Sequence, residues 1–136
     1  MTTDPTYALQ VAIISTVRAS GAVADVMRGA ATIYDPVPSQ PRWPYVAIAE
    51  INSKPAGAEG YDASDAQVVL HVWTNSDGSD EAKRIIAALT KVLNSEIVIE
   101  GFRVVIHEPL GSASGNPVED GPSGILTMRY KVQAIA

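Results

Sequence analysis

His71 and His107 are the only side chains in this sequence suited to acid–base work near neutral pH. They fall in different predicted strands, without HxxxH or HxH spacing. The chain also lacks cysteine, which excludes a disulfide, a thiolate-bound zinc and a cysteine nucleophile. His71 sits beside Val72 in a hydrophobic run, a setting for a packed or interface histidine. Carboxylates are scattered as Asp62 and Asp65, Asp77, Asp80 and Glu81, and Glu119 and Asp120. The middle group stands where a helix should begin, and capping together with the helix dipole accounts for it. The others lie in Gly/Pro-rich stretches, and no pair is singled out for glycoside hydrolysis. Ser112, Ser114 and Ser123 lack a GxSxG elbow. Gly111-Ser112-Ala113-Ser114-Gly115 has no following Walker lysine and reads as a flexible hinge. No catalytic residue, cofactor site or metal site is expected.

Such a chain must then act through its surfaces, so composition matters next. Its 136 residues, 46% hydrophobic and 18% charged, suit one domain spanning 1–136 with a single core. A net charge of -5 disfavours nonspecific binding to DNA or to an anionic membrane. No window nears the ~20 apolar residues needed to cross a bilayer, and the first residues carry no targeting signature. Lack of cysteine suits a reducing compartment. The chain is expected in the cytoplasm of its producing cell, or in something assembled there.

Asp4-Pro5 reads as a helix start, with Leu9, Ala12, Ile13, Thr16 and Val17 on one face. Val11 and Ile14 lie off that stripe, predicting cover on more than one side. Ser20-Gly21 should end or kink this helix, and a short turn through Val23, Val26 and Met27 should stop at Gly29. Strands are predicted at 32–34, 45–51, 66–74, 97–99 and 102–107, with an exposed connection over 52–64 and a mobile loop over 111–123. The run over 66–74 is nearly continuously apolar, implying cover on both faces or an interface on one. Ile85, Ile86, Leu89, Val92 and Leu93 form the clearest helical stripe, with Asp77, Ser79 or Asp80 as its cap. Leu126, Met128, Tyr130, Val132 and Ala134 alternate with polar residues, the signature of a strand with one wet face. The pattern predicts an α+β fold, a single mostly antiparallel sheet packed by two main helices.

Six segments carry a resemblance. They are Ile33-Tyr34-Asp35-Pro36-Val37-Pro38, Trp43-Pro44-Tyr45-Val46-Ala47-Ile48-Ala49-Glu50, Leu70-His71-Val72-Trp73-Thr74, Glu81-Ala82-Lys83-Arg84-Ile85, Ile99-Glu100-Gly101-Phe102-Arg103-Val104 and Gly124-Ile125-Leu126-Thr127-Met128-Arg129-Tyr130. In this order and spacing, over roughly 8–132, the chain resembles the tail-completion, or tail terminator, family of long-tailed phages and gene transfer agents, with a role like that of the lambda U protein. The resemblance implies a hexameric ring that caps the tail tube, ends its polymerisation and offers a docking face to the head-side connector. It implies a homo-oligomer that touches the tail tube protein and the connector, or stopper, protein, while DNA passes its lumen without specific binding. Its place would be a virion or phage-like particle assembled in the bacterial cytoplasm.

Tyr34, Trp43, Tyr45, His71, Trp73, Arg129 and Lys131 are the candidate subunit-contact residues. The proline-stiffened stretch from Tyr34 to Tyr45 should deliver Trp43 and Tyr45 into the sheet as a rigid contact loop. Arg129 and Lys131 would either form a solvated edge that discourages wrong pairing or meet an acidic partner. A head–tail adaptor or minor tail subunit, and a small cytoplasmic ligand-binding domain with a pocket under the Asp35–Pro41 loop, are the alternatives.

Overall fold

The computed structural model describes residues 3–58, 60–75, 79–95, 97–115 and 121–135. Asp77, Glu119 and Asp120 lie outside them. In chain order the elements are α1 (Thr6–Arg18), α2 (Gly21–Val26), β1 (Ile33–Tyr34), β2 (Tyr45–Pro55), β3 (Ala63–Trp73), α3 (Asp80–Leu93), β4 (Phe102–Ser114) and β5 (Gly124–Ala134). The strands form one sheet in the order β1-β2-β3-β5-β4, antiparallel except for the short β1–β2 pair. The α+β expectation therefore holds, with α2 as a third, one-and-a-half-turn helix.

Helix ends follow local chemistry. Asp4 Oδ1 accepts a hydrogen bond from the Thr6 amide at 2.9 Å. That contact holds the Asp4 carboxyl below its ordinary pKa. Ser20 both breaks α1 and caps α2, its hydroxyl accepting from the Val23 amide at 3.2 Å. α2 ends in a Schellman turn, with the Gly29 amide on the Ala24 carbonyl and the Arg28 amide on Asp25. The left-handed residue there is Arg28 at φ 59°, not the glycine that follows. α3 buries Ala82, Ile85, Ile86, Leu89 and Leu93, with Asp80 and Glu81 in its first turn. Ser79 occupies its N-cap position without a side-chain hydrogen bond.

One core forms between the helices and one face of the sheet. Leu9, Ile13 and Val17 of α1 meet Val68, Leu70 and Val72 of β3 and Leu126, Met128, Tyr130 and Val132 of β5 there. Full burial of each such side chain is worth roughly 1.5–3 kcal/mol. The Tyr130 hydroxyl donates to the Leu93 carbonyl at 2.8 Å, occupying an acceptor that the end of α3 leaves without a helical partner. α1 is covered on one side only, because Val11 remains 48% exposed.

Three further expectations change. The connection expected over 52–64 is in part ladder, since Asn52↔Gln67 through Pro55↔Ser64 pair. Backbone pairing needs no apolar side chains, and Asn52 to Pro55 are exposed. Beyond that ladder, a Cβ on Gly57 would lie 1.8 Å from the Tyr61 carbonyl oxygen, so only glycine fits. Residues 97–99 form no strand. Ile97 and Ile99 enter the core from a loop closed by one Ile99–Phe102 bridge, with Gly101 at φ 84°. Finally, 111–114 is not a hinge but the end of β4, paired from Gly111↔Thr127 to Ser114↔Gly124. β5 supplies those backbone partners, so small polar residues suffice.

Candidate functional site

Alternation along β3 sends Ser64, Ala66, Val68, Leu70 and Val72 to the helices, all buried. Asp65, Gln67, Val69, His71 and Trp73 point to the opposite face and keep partial exposure. Of the two options for this apolar strand, cover on both faces is not found among the described residues. No described element covers that face, so the sheet is clad on one side.

At one end of the bare face stands an aromatic group. Tyr45 pairs directly with Trp73 across β2 and β3, ring centroids 6.2 Å apart and nearly parallel. Trp43 meets Tyr45 edge-on at 4.9 Å, and Tyr34 tilts against it at 5.8 Å. Tyr45 is thereby buried, whereas Trp43 stays 41% exposed as the outermost ring. The proline-rich excursion is tied back by the Arg42 amide, which donates to the Tyr34 hydroxyl at 3.2 Å.

Beside the rings, His71 faces Ala47 on β2 and Ile125 on β5, and is half-buried. Ile125 is 37% exposed and extends the apolar strip. It was missed because the alternation was read from Leu126 onward, although Ile125 is in phase with Thr127 on the same face.

The other end of the face is ionic. Arg129 reaches Asp65 on β3 at 2.7 Å and Glu108 on β4 at 2.8 Å, its side chain 26% exposed. The guanidinium hydrogen bond holds the Asp65 carboxyl below its ordinary pKa, against the raising effect of burial, with Lys54 and Lys131 adding to the lowering. The two carboxylates in turn keep Arg129 firmly charged. Lys131 lies opposite Asp65 and Ile106. The solvated-edge reading of Arg129 and Lys131 is thus wrong, because β5 runs between β3 and β4 and has no free edge. Arg129 instead spends its charge on two intramolecular carboxylates. These partners could not be found without register, since Asp65 lies 64 residues away.

All seven candidate contact residues therefore share one region, with four rings at one end, His71 between, and Arg129 and Lys131 towards the other end. His107 is elsewhere. It pairs opposite buried Tyr130 on the helix-side face, where its Nδ1 lies 3.0 Å from Asn94 Oδ1. The sheet separates the two histidines. Among the described residues no cluster of acids and histidines could hold a metal, and no helix is long and apolar enough to cross a membrane. The loop expected to roof a pocket borders two shallow grooves of about 310 and 450 Å³, both broadly open, the first including Asp35 and the second Tyr34 and Arg42.

A bare sheet face with an aromatic patch fits an assembly protein, and the family comparison decides which kind. The model of the family described as tail completion protein gp17 matches residues 11–115, most of the chain. The chain belongs to that tail completion family. As a tail completion protein it has a structural role in the tail. The family match runs from within α1 to the end of β4 and leaves out β5. A chain in the solved structure of the virion of a native gene transfer agent particle has the same fold, with a TM-score of 0.82 at 24% identity, covering 96% of this chain and 98% of that one. No curated protein matches significantly.

Proposed function

We propose that this tail completion protein forms a hexameric ring that caps the tail tube. The ring ends tube polymerisation and presents its other side to the head-side connector, or stopper. The observation that carries this reading is the unclad sheet face with Trp43, Trp73, His71 and Ile125 on it. A small chain that has already formed a core gains nothing from keeping such a strip in water, whereas subunit contacts bury it. Tyr34, Trp43, Tyr45, His71, Trp73, Arg129 and Lys131 are assigned to that contact region, Arg129 by shaping it through Asp65 and Glu108 rather than as a free cation. Family membership and the likeness to a chain of a gene transfer agent virion support a place in a virion or phage-like particle, assembled in the bacterial cytoplasm.

Capping in this reading is geometric. One side of the ring complements tube subunits, and the other cannot accept a further tube layer. The net charge of -5 lets DNA slide through the lumen without specific binding. Residues 1–136 act as one tail-terminator-like domain.

Native mass spectrometry over a concentration series, with negative-stain images of the heaviest species, tests the proposal. Six-fold rings, formed alone or on adding purified tail tubes, are expected. A species that stays monomeric with tubes and instead binds the connector would replace this reading with that of a head–tail adaptor.

A further inference from the structure

β4 is one of the two edge strands, and no described strand lies beyond it. Its two halves treat that edge differently. From Phe102 to Pro109 the ladder is interrupted by register shifts at Val104/Ile106 and Pro109/Gly111, and a proline removes one donor. Bulges and proline are the usual devices against stray strand pairing. Beyond the second shift the register is regular, and Gly111, Ser112, Ala113 and Ser114 carry neither charge nor proline. That stretch is an unguarded edge.

Directly beside it lies a cleft of about 550 Å³ between β4 and α3, lined by Lys83, Ile86, Lys91 and Asn94 from the helix and by Ser112 and Ser114 from the strand. Among the described residues no carboxylate lines it. Lys83 and Lys91 are exposed, and neither has an ion-pair partner among the described residues. Arg28 is engaged on Glu81, Arg129 on Asp65 and Glu108, and Arg18 on the Ile33 carbonyl, whereas Arg42, Lys54, Arg84 and Lys131 likewise lack an ion pair among the described residues. In a chain of net charge -5, a cleft that gathers two such lysines with no described acid suits an acidic ligand.

We infer that the Gly111–Ser114 edge and the adjoining Lys83/Lys91 cleft receive an extended, acidic peptide segment of a partner protein, which adds to the sheet as a further strand. Backbone groups of such a segment pair with the free edge, and alternate side chains enter the cleft. Residues 83 and 91 are eight positions apart, a rise of about 12 Å along the helix. Carboxylates four residues apart on one side of a strand are separated by about 13 Å. The two spacings are of similar length, and the charges are complementary. Duplex DNA offers charge but no strand to pair, and the overall acidity of the chain opposes it. This inference does not depend on the ring.

The test uses the full chain with a fluorescein-labelled peptide of alternating glutamate and valine, the lysine–valine peptide as control, and a 20-base-pair DNA duplex. Fluorescence anisotropy should show binding of the glutamate peptide alone, weakened by raising salt from 50 to 500 mM. The same peptide should shift the amide resonances of Gly111 to Ser114. The double variant K83E/K91E should bind about tenfold more weakly with an unchanged circular dichroism melt, as expected for exposed charges at an interface. Equal binding by the variant, equal binding of the lysine peptide, or tighter binding of DNA would overturn the inference. So would β4 shifts that appear with protein concentration in the absence of peptide, since a second copy would then be the occupant.

Discussion

At the scale of single residues, Arg129 shows how position changes the meaning of a charge. On β5 it bridges Asp65 and Glu108 from the strands on either side, fastening the ionic end of the bare face. Because Asp65 is ionised more easily in the folded chain than in the unfolded one, the pair stabilises the fold above the unfolded carboxylate pKa of about 3.9. That contribution is lost as pH falls through the lower, folded value. Asp65→Asn should therefore lower the urea midpoint at pH 6, and the gap to the unaltered chain should narrow as pH falls below the unfolded value. A gap that stays constant on acidification would show that Asp65 contributes through something other than its charge.

Elements are joined by a few buried polar contacts as well as by the core. Tyr130 on β5 is fully buried and sits under the C-terminal end of α3, where its hydroxyl serves the Leu93 carbonyl. Burial pushes its phenol well above the ordinary tyrosine range, so the group remains a neutral donor at all physiological pH values. Tyr130→Phe keeps the ring and leaves that carbonyl unpartnered, at an expected cost of about 1–2 kcal/mol. Urea denaturation measures the loss, and amide hydrogen exchange should locate it in the last turn of α3. A uniform change across the sheet would argue that the hydroxyl does not act on the helix end. The Thr74 and Ser123 hydroxyls, 2.9 Å apart and buried, make a comparable link between the ends of β3 and β5.

For the molecule as a whole, the decisive asymmetry is a sheet with helices on one side only. Ile125 and Trp43 are exposed apolar groups on the bare side, at 37% and 41%. Substituting Ile125 leaves the core untouched and should move monomer stability by no more than about 0.5 kcal/mol, whereas removing the Trp43 ring from Tyr45 should cost about 1 kcal/mol. Trp43→Ala and Ile125→Glu should nonetheless abolish the heaviest species in native mass spectra. The glutamate variant should act more completely, because it places a charge within a desolvated contact. Rings that persist in both variants would move the subunit contact to another surface, with the family role unaffected.

Much of this architecture was already legible in the chain. The stripe from Ile85 to Leu93 and the alternation from Leu126 to Ala134 are properties of neighbouring residues, and a helix or a half-buried strand follows from them directly. Lack of cysteine and the dispersal of both histidines likewise excluded whole classes of chemistry before any fold was known. Tertiary structure decided what depends on partners distant in sequence. It extended β2 and β4 through polar residues, because backbone hydrogen bonds are indifferent to side-chain type. It placed β5 in the interior of the sheet, turning Arg129 from a supposed edge charge into a three-strand tie. It also left one face of β3 bare, a fact set by where α1 and α3 pack and not by the apolar character of the strand itself.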